Sequence, residues 1–226
     1  MFMPTRSILN KRILFSIFLP PLSFAPIGIP FFLLGVNTSI LRDGWYISIF
    51  IICVTIAMRE KTSLSKIGLT KQKLGSSLLL ASIWETVTYI PLGIPPFFLA
   101  TGKLSILVQL DETMITSAFH YMLVGLAEEI WMRGLLLRRL KEWKPEGPAP
   151  ILWSSIIFVS LHVPASSLTI IRETSLLPLL LLSWLILFVW SAGLAVITLK
   201  TGNLLGPIVI HGLDDFVSKV LHPLQM

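Results

Sequence analysis

The stretch 114–138, MITSAFHYMLVGLAEEIWMRGLLLR, decides how this chain is read. It is long and apolar enough to cross a bilayer, which takes about 20 residues at 1.5 Å of rise each. Yet it carries Glu128 and Glu129 side by side, with Arg133 shortly after. An ionisable side chain in hydrocarbon costs roughly 2.5–3.5 kcal/mol even on the mild insertion scale. Such groups are tolerated when they face one another around a polar cavity. Two later apolar stretches each bring a histidine, His162 and His211, and Asp215 follows the second by one helical turn. Carboxylates, imidazoles and a guanidinium gathered that way are the parts of a hydrolytic or metal site.

The rest of the chain agrees with a membrane setting. Hydrophobic residues make up 54% of its 226 positions and charged residues 13%, with a mean hydropathy of +0.82. Soluble domains carry about 25% charged residues. The expectation is an all-α, polytopic transmembrane bundle forming one domain over 1–226, with an intramembrane polar cavity. The lipid bilayer is then its first partner, and no nucleic-acid partner is expected. A single cysteine, Cys53, excludes disulfides within the chain and any CxxC metal site. The N-terminus resembles a signal peptide, but its apolar run from Ile13 continues to about Val36. Pro26 also directly follows the only small-residue cleavage position, Ala25, so the run reads as a retained span.

Apolar segments of spanning length fall near 13–36, 43–58, 74–92, 114–138, 149–163, 176–199 and 203–221, about seven in all. Pro20, Pro21, Pro26 and Pro30 predict a kinked or broken first span. Pro91, Pro95, Pro96, Gly93 and Gly102 predict a loop over 91–112 at the interface. Basic residues cluster on alternate loops: Arg6, Lys11 and Arg12; then Arg59, Lys61, Lys66, Lys71 and Lys73; then Arg138, Arg139, Lys141 and Lys144; then Lys200. The other loops and the C-terminus hold only Arg42, Lys103, Arg172 and Lys219. Excess basic charge marks the cytoplasmic side, which puts the N-terminus inside. Counted from the cytoplasmic ends at 1.5 Å per residue, Glu128 lies about 15 Å deep, His162 about 20 Å and His211 about 12 Å. Three elements far apart in sequence thus bring polar groups to similar depth, which predicts one shared site.

Within it, Glu129 and Arg133 are spaced four apart for an ion pair on one helix face. Glu128 lies about 100° around the helix from Glu129, so the two carboxylates have different jobs. The plainer alternative is a helix end whose charges reach water. His162, with Phe158 one turn before it and Pro164 just after, reads by itself as a structural histidine near a helix end. His211 and Asp215 share a face, and alone would form an ordinary side-chain pair. His120 and His222 fall near the outer side and carry no assigned role. Glu85, in the third span, either lines the cavity or is a neutral acid in the core.

The runs Glu128-Glu129-Ile130-Trp131-Met132-Arg133, Phe158-Val159-Ser160-Leu161-His162 and His211-Gly212-Leu213-Asp214-Asp215 resemble the EExxxR, FxxxH and HxxxN/D motifs of the CPBP intramembrane metalloproteases. That family holds the type II CAAX prenyl endopeptidases and the Abi-type bacteriocin-immunity proteins. The resemblance covers roughly 66–221, the expected catalytic core, and includes Thr201-Gly202-Asn203. It implies that Glu128 and His162 activate a water against a peptide carbonyl, while His211 and Asp215 stabilise the oxyanion. Glu129 with Arg133 would brace the helix or orient Glu128, and Phe158 belongs to the motif around His162. Glu128, His162 and His211 are also good zinc ligands. A divalent metal and a metal-free, glutamate-dependent mechanism therefore both stay open. Asp215 stands where the prenyl endopeptidases have asparagine. An ionised carboxylate there would repel an oxyanion, so Asp215 is protonated, binds a metal or orients His211. The substrate implied is a peptide or protein, prenylated or bacteriocin-like, and the short chain fits a prokaryotic cell membrane. The alternative is a non-catalytic immunity or scaffold protein that keeps the motif for folding.

Overall fold

A computed structural model describes residues 7–18, 38–88, 112–170 and 177–220 of the chain. These are mostly helical, joined by short turns over 60–63, 68–73, 144–148 and 202–204, with no strand among the described residues. Helix α1 covers 7–18, α2 Thr38–Arg59 and α3 Leu74–Thr88. Helix α4, Glu112–Glu129, runs on through a π-helical segment, Ile130–Leu137, into α5, Arg138–Trp143. Then come α6, Ala149–Ile170, α7, Leu177–Thr201, and α8, Leu205–Val220. The expected break in the first span lies outside the described residues, as does the loop over 91–112 apart from Glu112, which opens α4.

Two expectations are corrected. The fifth segment does not stop at 163: α6 continues through Pro164 to Ile170. Proline at that position costs one backbone hydrogen bond, which a long apolar helix can absorb when neighbours surround it. Arg138 and Arg139 are also not free loop charges. The guanidinium of Arg139 is buried and donates to Glu60 Oε1 at 2.6 Å, to the carbonyl of Arg12 at 2.7 Å and to Ser16 Oγ. Arg138 donates to the other oxygen of Glu60 at 2.9 Å. Glu60 thereby ties α1, α2 and α5 together.

Contacts between helices close a ring: α4 packs on α8, α8 on α3, α3 on α7, α7 on α6, and α6 returns to the π segment. Helix α2 lies outside α4. Helices α4 and α8 cross closely at Gly125 on Gly212, where a Cβ on Gly125 would stand 2.8 Å from both the Gly212 nitrogen and the Ile208 carbonyl oxygen. Small residues let two helices approach to backbone contact, and here they bring the end of α4 against His211. Asn203 fixes the start of α8. Its Oδ1 accepts from the Leu205 N–H at 2.8 Å, and its Nδ2 donates to the carbonyls of Thr70 and Gln72 at 2.6 and 2.8 Å.

Polarity is inverted relative to a water-soluble bundle. Leu14, Ile51, Ile83, Ile115, Leu152, Leu185 and Leu213 are exposed, one on each of α1, α2, α3, α4, α6, α7 and α8, while Glu129, Arg133 and His211 are buried. By length and composition, one described helix is apolar enough to span a membrane, over Leu180–Thr201, and Ala149–His162 is a shorter apolar helix.

Candidate active site

The end of α4 contributes Glu128 and Glu129, which the helix turns to different neighbours. Glu129 is fully buried, and its Oε1 accepts from Arg133 Nη1 at 2.9 Å and from His211 Nδ1 at 2.8 Å. The other arm of Arg133 donates to Ser191 Oγ on α7 at 2.9 Å, and its guanidinium lies 4.7 Å from the centre of the Phe158 ring. A buried cation is thus held by a carboxylate, a hydroxyl and an aromatic face, as burial demands. Phe158 in turn stacks on His162 with ring centres 4.3 Å apart.

Glu128 faces the ring interior. Its Oε2 stands 3.7 Å from His162 Nε2 and 3.8 Å from His211 Nε2. Asp215 Oδ2 is 3.6 Å from that same His211 nitrogen. These separations are too long for direct hydrogen bonds. The backbone and Glu129 set which nitrogens point inward. His162 donates its Nδ1–H to the carbonyl of Phe158 at 2.8 Å, leaving Nε2 toward Glu128. His211 donates Nδ1–H to Glu129, which likewise turns Nε2 to Glu128 and Asp215. Side-chain exposure rises from 4% at His211 and 13% at Glu128 to 33% at Asp215 and 39% at His162. The cluster therefore opens past His162 and Asp215 and is closed behind His211.

The sequence placed Glu128, His162, His211 and Asp215 together, and the helices bring them together. It paired Glu129 with Arg133 but missed that the same oxygen holds His211. Glu85 has a partner as well: its Oε2 accepts from Trp190 Nε1 at 2.8 Å, with the carboxyl of Asp214 beside it. His120, to which no role was given, pairs with Asp43 between α4 and α2. His222 lies outside the described residues.

Two imidazole nitrogens and a carboxylate are the right donor types for zinc. Ligand bonds of about 2.0–2.1 Å in a tetrahedron set neighbouring donors roughly 3.3–3.4 Å apart. The separations of 3.6–3.8 Å are wider, and among the described residues no group of three or more His, Cys, Asp or Glu is arranged to hold a metal ion. The donors fit in kind and not in spacing.

An all-helical bundle with buried carboxylate, imidazole and guanidinium groups behind an apolar exterior is the framework of a membrane-embedded enzyme or carrier. Residues 111–217, which contain Glu128, His162, His211 and Asp215, match the family described as Type II CAAX prenyl endopeptidase Rce1-like. This match, over a little under half of the chain, supports the CPBP, CAAX-protease-type family. Comparison with curated proteins and with solved structures finds no match.

Proposed function

We propose that this chain is an intramembrane endopeptidase whose helices span the bilayer about seven times with the N-terminus in the cytoplasm. The observation that carries the reading is the gap shared by Glu128, His162 and His211. Three helices bring two tautomer-fixed imidazoles to 3.7 and 3.8 Å from one oxygen of Glu128. Exposed apolar side chains on every long helix support the membrane setting, as does the family match over 111–217.

A water in this gap donates one proton to Glu128 and is steadied by His162 Nε2. Its oxygen attacks the peptide carbonyl carbon while Glu128 takes the proton. The carbonyl oxygen, becoming an oxyanion, lies against His211. To donate there, His211 carries a proton on Nε2 as well as on Nδ1, so it acts as an imidazolium held by Glu129. Asp215, facing the same nitrogen, orients that proton rather than meeting the oxyanion itself. When the C–N bond breaks, Glu128 returns its proton to the leaving amine, and the carboxylic acid left behind passes its own proton on to the amine, giving a carboxylate and an ammonium. Preorganised donors aimed at developing charge supply most of the rate in such sites.

The substrate is a peptide or protein tail entering past His162 and Asp215, where the cluster is most exposed. A prenylated or bacteriocin-like segment fits this reading, as does a prokaryotic cell membrane. The test is to reconstitute the purified protein in liposomes and follow a peptide mixture by mass spectrometry. New cleavage products support the proposal. A folded, monodisperse protein that cleaves nothing favours the immunity or scaffold role instead.

A further inference from the structure

Neither Glu85 on α3 nor Trp190 on α7 belongs to the three motifs, yet both abut the site. The indole of Trp190 stands edge-to-face with the His211 ring, centres 4.9 Å apart and planes 84° apart. A buried indole N–H needs an acceptor, and Glu85 Oε2 provides it at 2.8 Å. The preceding residue makes a second attachment: Trp84 Nε1 donates to the Trp190 carbonyl at 3.2 Å. Trp84 fits there because residue 193 is glycine; a Cβ would stand 1.9 Å from Trp84 Cε2. Two consecutive residues of α3 thus grip one residue of α7, and Glu85 lies beside Asp214 of α8.

His211 explains why such a grip is useful. The hydrogen bond from Nδ1 to Glu129 fixes one ring atom but leaves rotation about that bond. Rotation would swing Nε2 away from Glu128 and Asp215, at 3.8 and 3.6 Å. The indole face blocks it, since an aromatic wall at van der Waals distance resists displacement. Catalytic groups held within about 0.5 Å of working geometry depend on such supporting residues.

We propose that Glu85 and Trp190 are positioning residues of the hydrolytic site, with Glu85 locking the indole that holds His211 toward Glu128. The role rests on the endopeptidase reading, and two measurements keep the two apart. With a peptide that the wild type cleaves, Trp190→Phe and Glu85→Leu lower kcat about tenfold or more while KM stays within about twofold. Glu85→Gln recovers most of the rate, because its amide can accept from the indole. Ultraviolet resonance Raman reads the tryptophan N–H directly, without turnover. Glu85→Leu shifts the band of one tryptophan to its non-bonded position, and Glu85→Gln does not. Wild-type kcat in both Trp190→Phe and Glu85→Leu overturns the proposal, as does a Gln variant no better than Leu, or an effect on KM alone. Should the wild type cleave nothing, the endopeptidase reading falls by itself. An unchanged Raman band in Glu85→Leu would then still overturn the Glu85–Trp190 lock.

Discussion

Replacing Glu129 by alanine removes a single oxygen that serves two buried donors, Arg133 Nη1 at 2.9 Å and His211 Nδ1 at 2.8 Å. The guanidinium it strands is 3% exposed as a residue, with only Ser191 and the Phe158 face remaining. Breaking a buried ion pair from one side costs about 3–5 kcal/mol. At roughly 2–4 °C per kcal/mol for a chain of this size, Tm falls by roughly 10 °C. Arg133→Ala is milder, because the Glu129 carboxylate keeps its bond to His211. The double variant loses less than the sum of the two singles, as coupled neighbours do. Glu129→Ala also lowers activity, since His211 loses the bond that fixes its Nδ1 proton. Thermal unfolding in detergent on all four proteins, with activity measured alongside, provides the check. A Glu129→Ala protein that melts with the wild type, or a strictly additive double variant, would refute the shared-oxygen network.

Three further outcomes follow from the same geometry. Gly125→Ala drives a methyl into the α8 backbone, where 2.8 Å is available; it destabilises by about 1–3 kcal/mol and lowers activity by moving His211 from Glu128, and an unaltered Tm would contradict the close crossing. Cysteines placed at Lys66 and Lys144 are shielded from a membrane-impermeant maleimide in intact cells and react after lysis; Cys53, being buried, adds little background. Ready labelling from outside would reverse the orientation. Dialysis against a chelator leaves peptide cleavage intact because Glu128 and His162 activate the water without a metal; loss of activity restored by zinc would establish a metal mechanism.

The meeting of Glu128, His162, His211 and Asp215 was legible because charge in an apolar run is costly and therefore informative. Glu128, His162 and His211 could be matched in depth by counting residues from basic loops. What the sequence hides are the partners chosen by packing. The second bond of Glu129, to His211, depends on α4 and α8 meeting at Gly125 and Gly212, and one helix pattern does not reveal which other helix it touches. Glu85 gave no sign of Trp190 for the same reason. Arg139 counted as a loop charge since nothing local shows that Glu60, far earlier in the chain, returns to cover it. Proline at 164 suggested an end, whereas a long apolar helix carries it. The π segment over Ile130–Leu137 leaves no periodic trace in so uniformly apolar a run.

Glu128→Gln tests the central claim most directly. The amide keeps the size and hydrogen-bonding reach of the carboxylate but cannot take a proton from water. Purified wild type and Glu128→Gln, matched for Tm and reconstituted in the same liposomes, are given the same peptide, and the cleaved bond is quantified by mass spectrometry. The account predicts a folded variant with cleavage reduced to background, a loss in the range of 100-fold or more for removal of a general base. Cleavage by Glu128→Gln at the wild-type rate would contradict it.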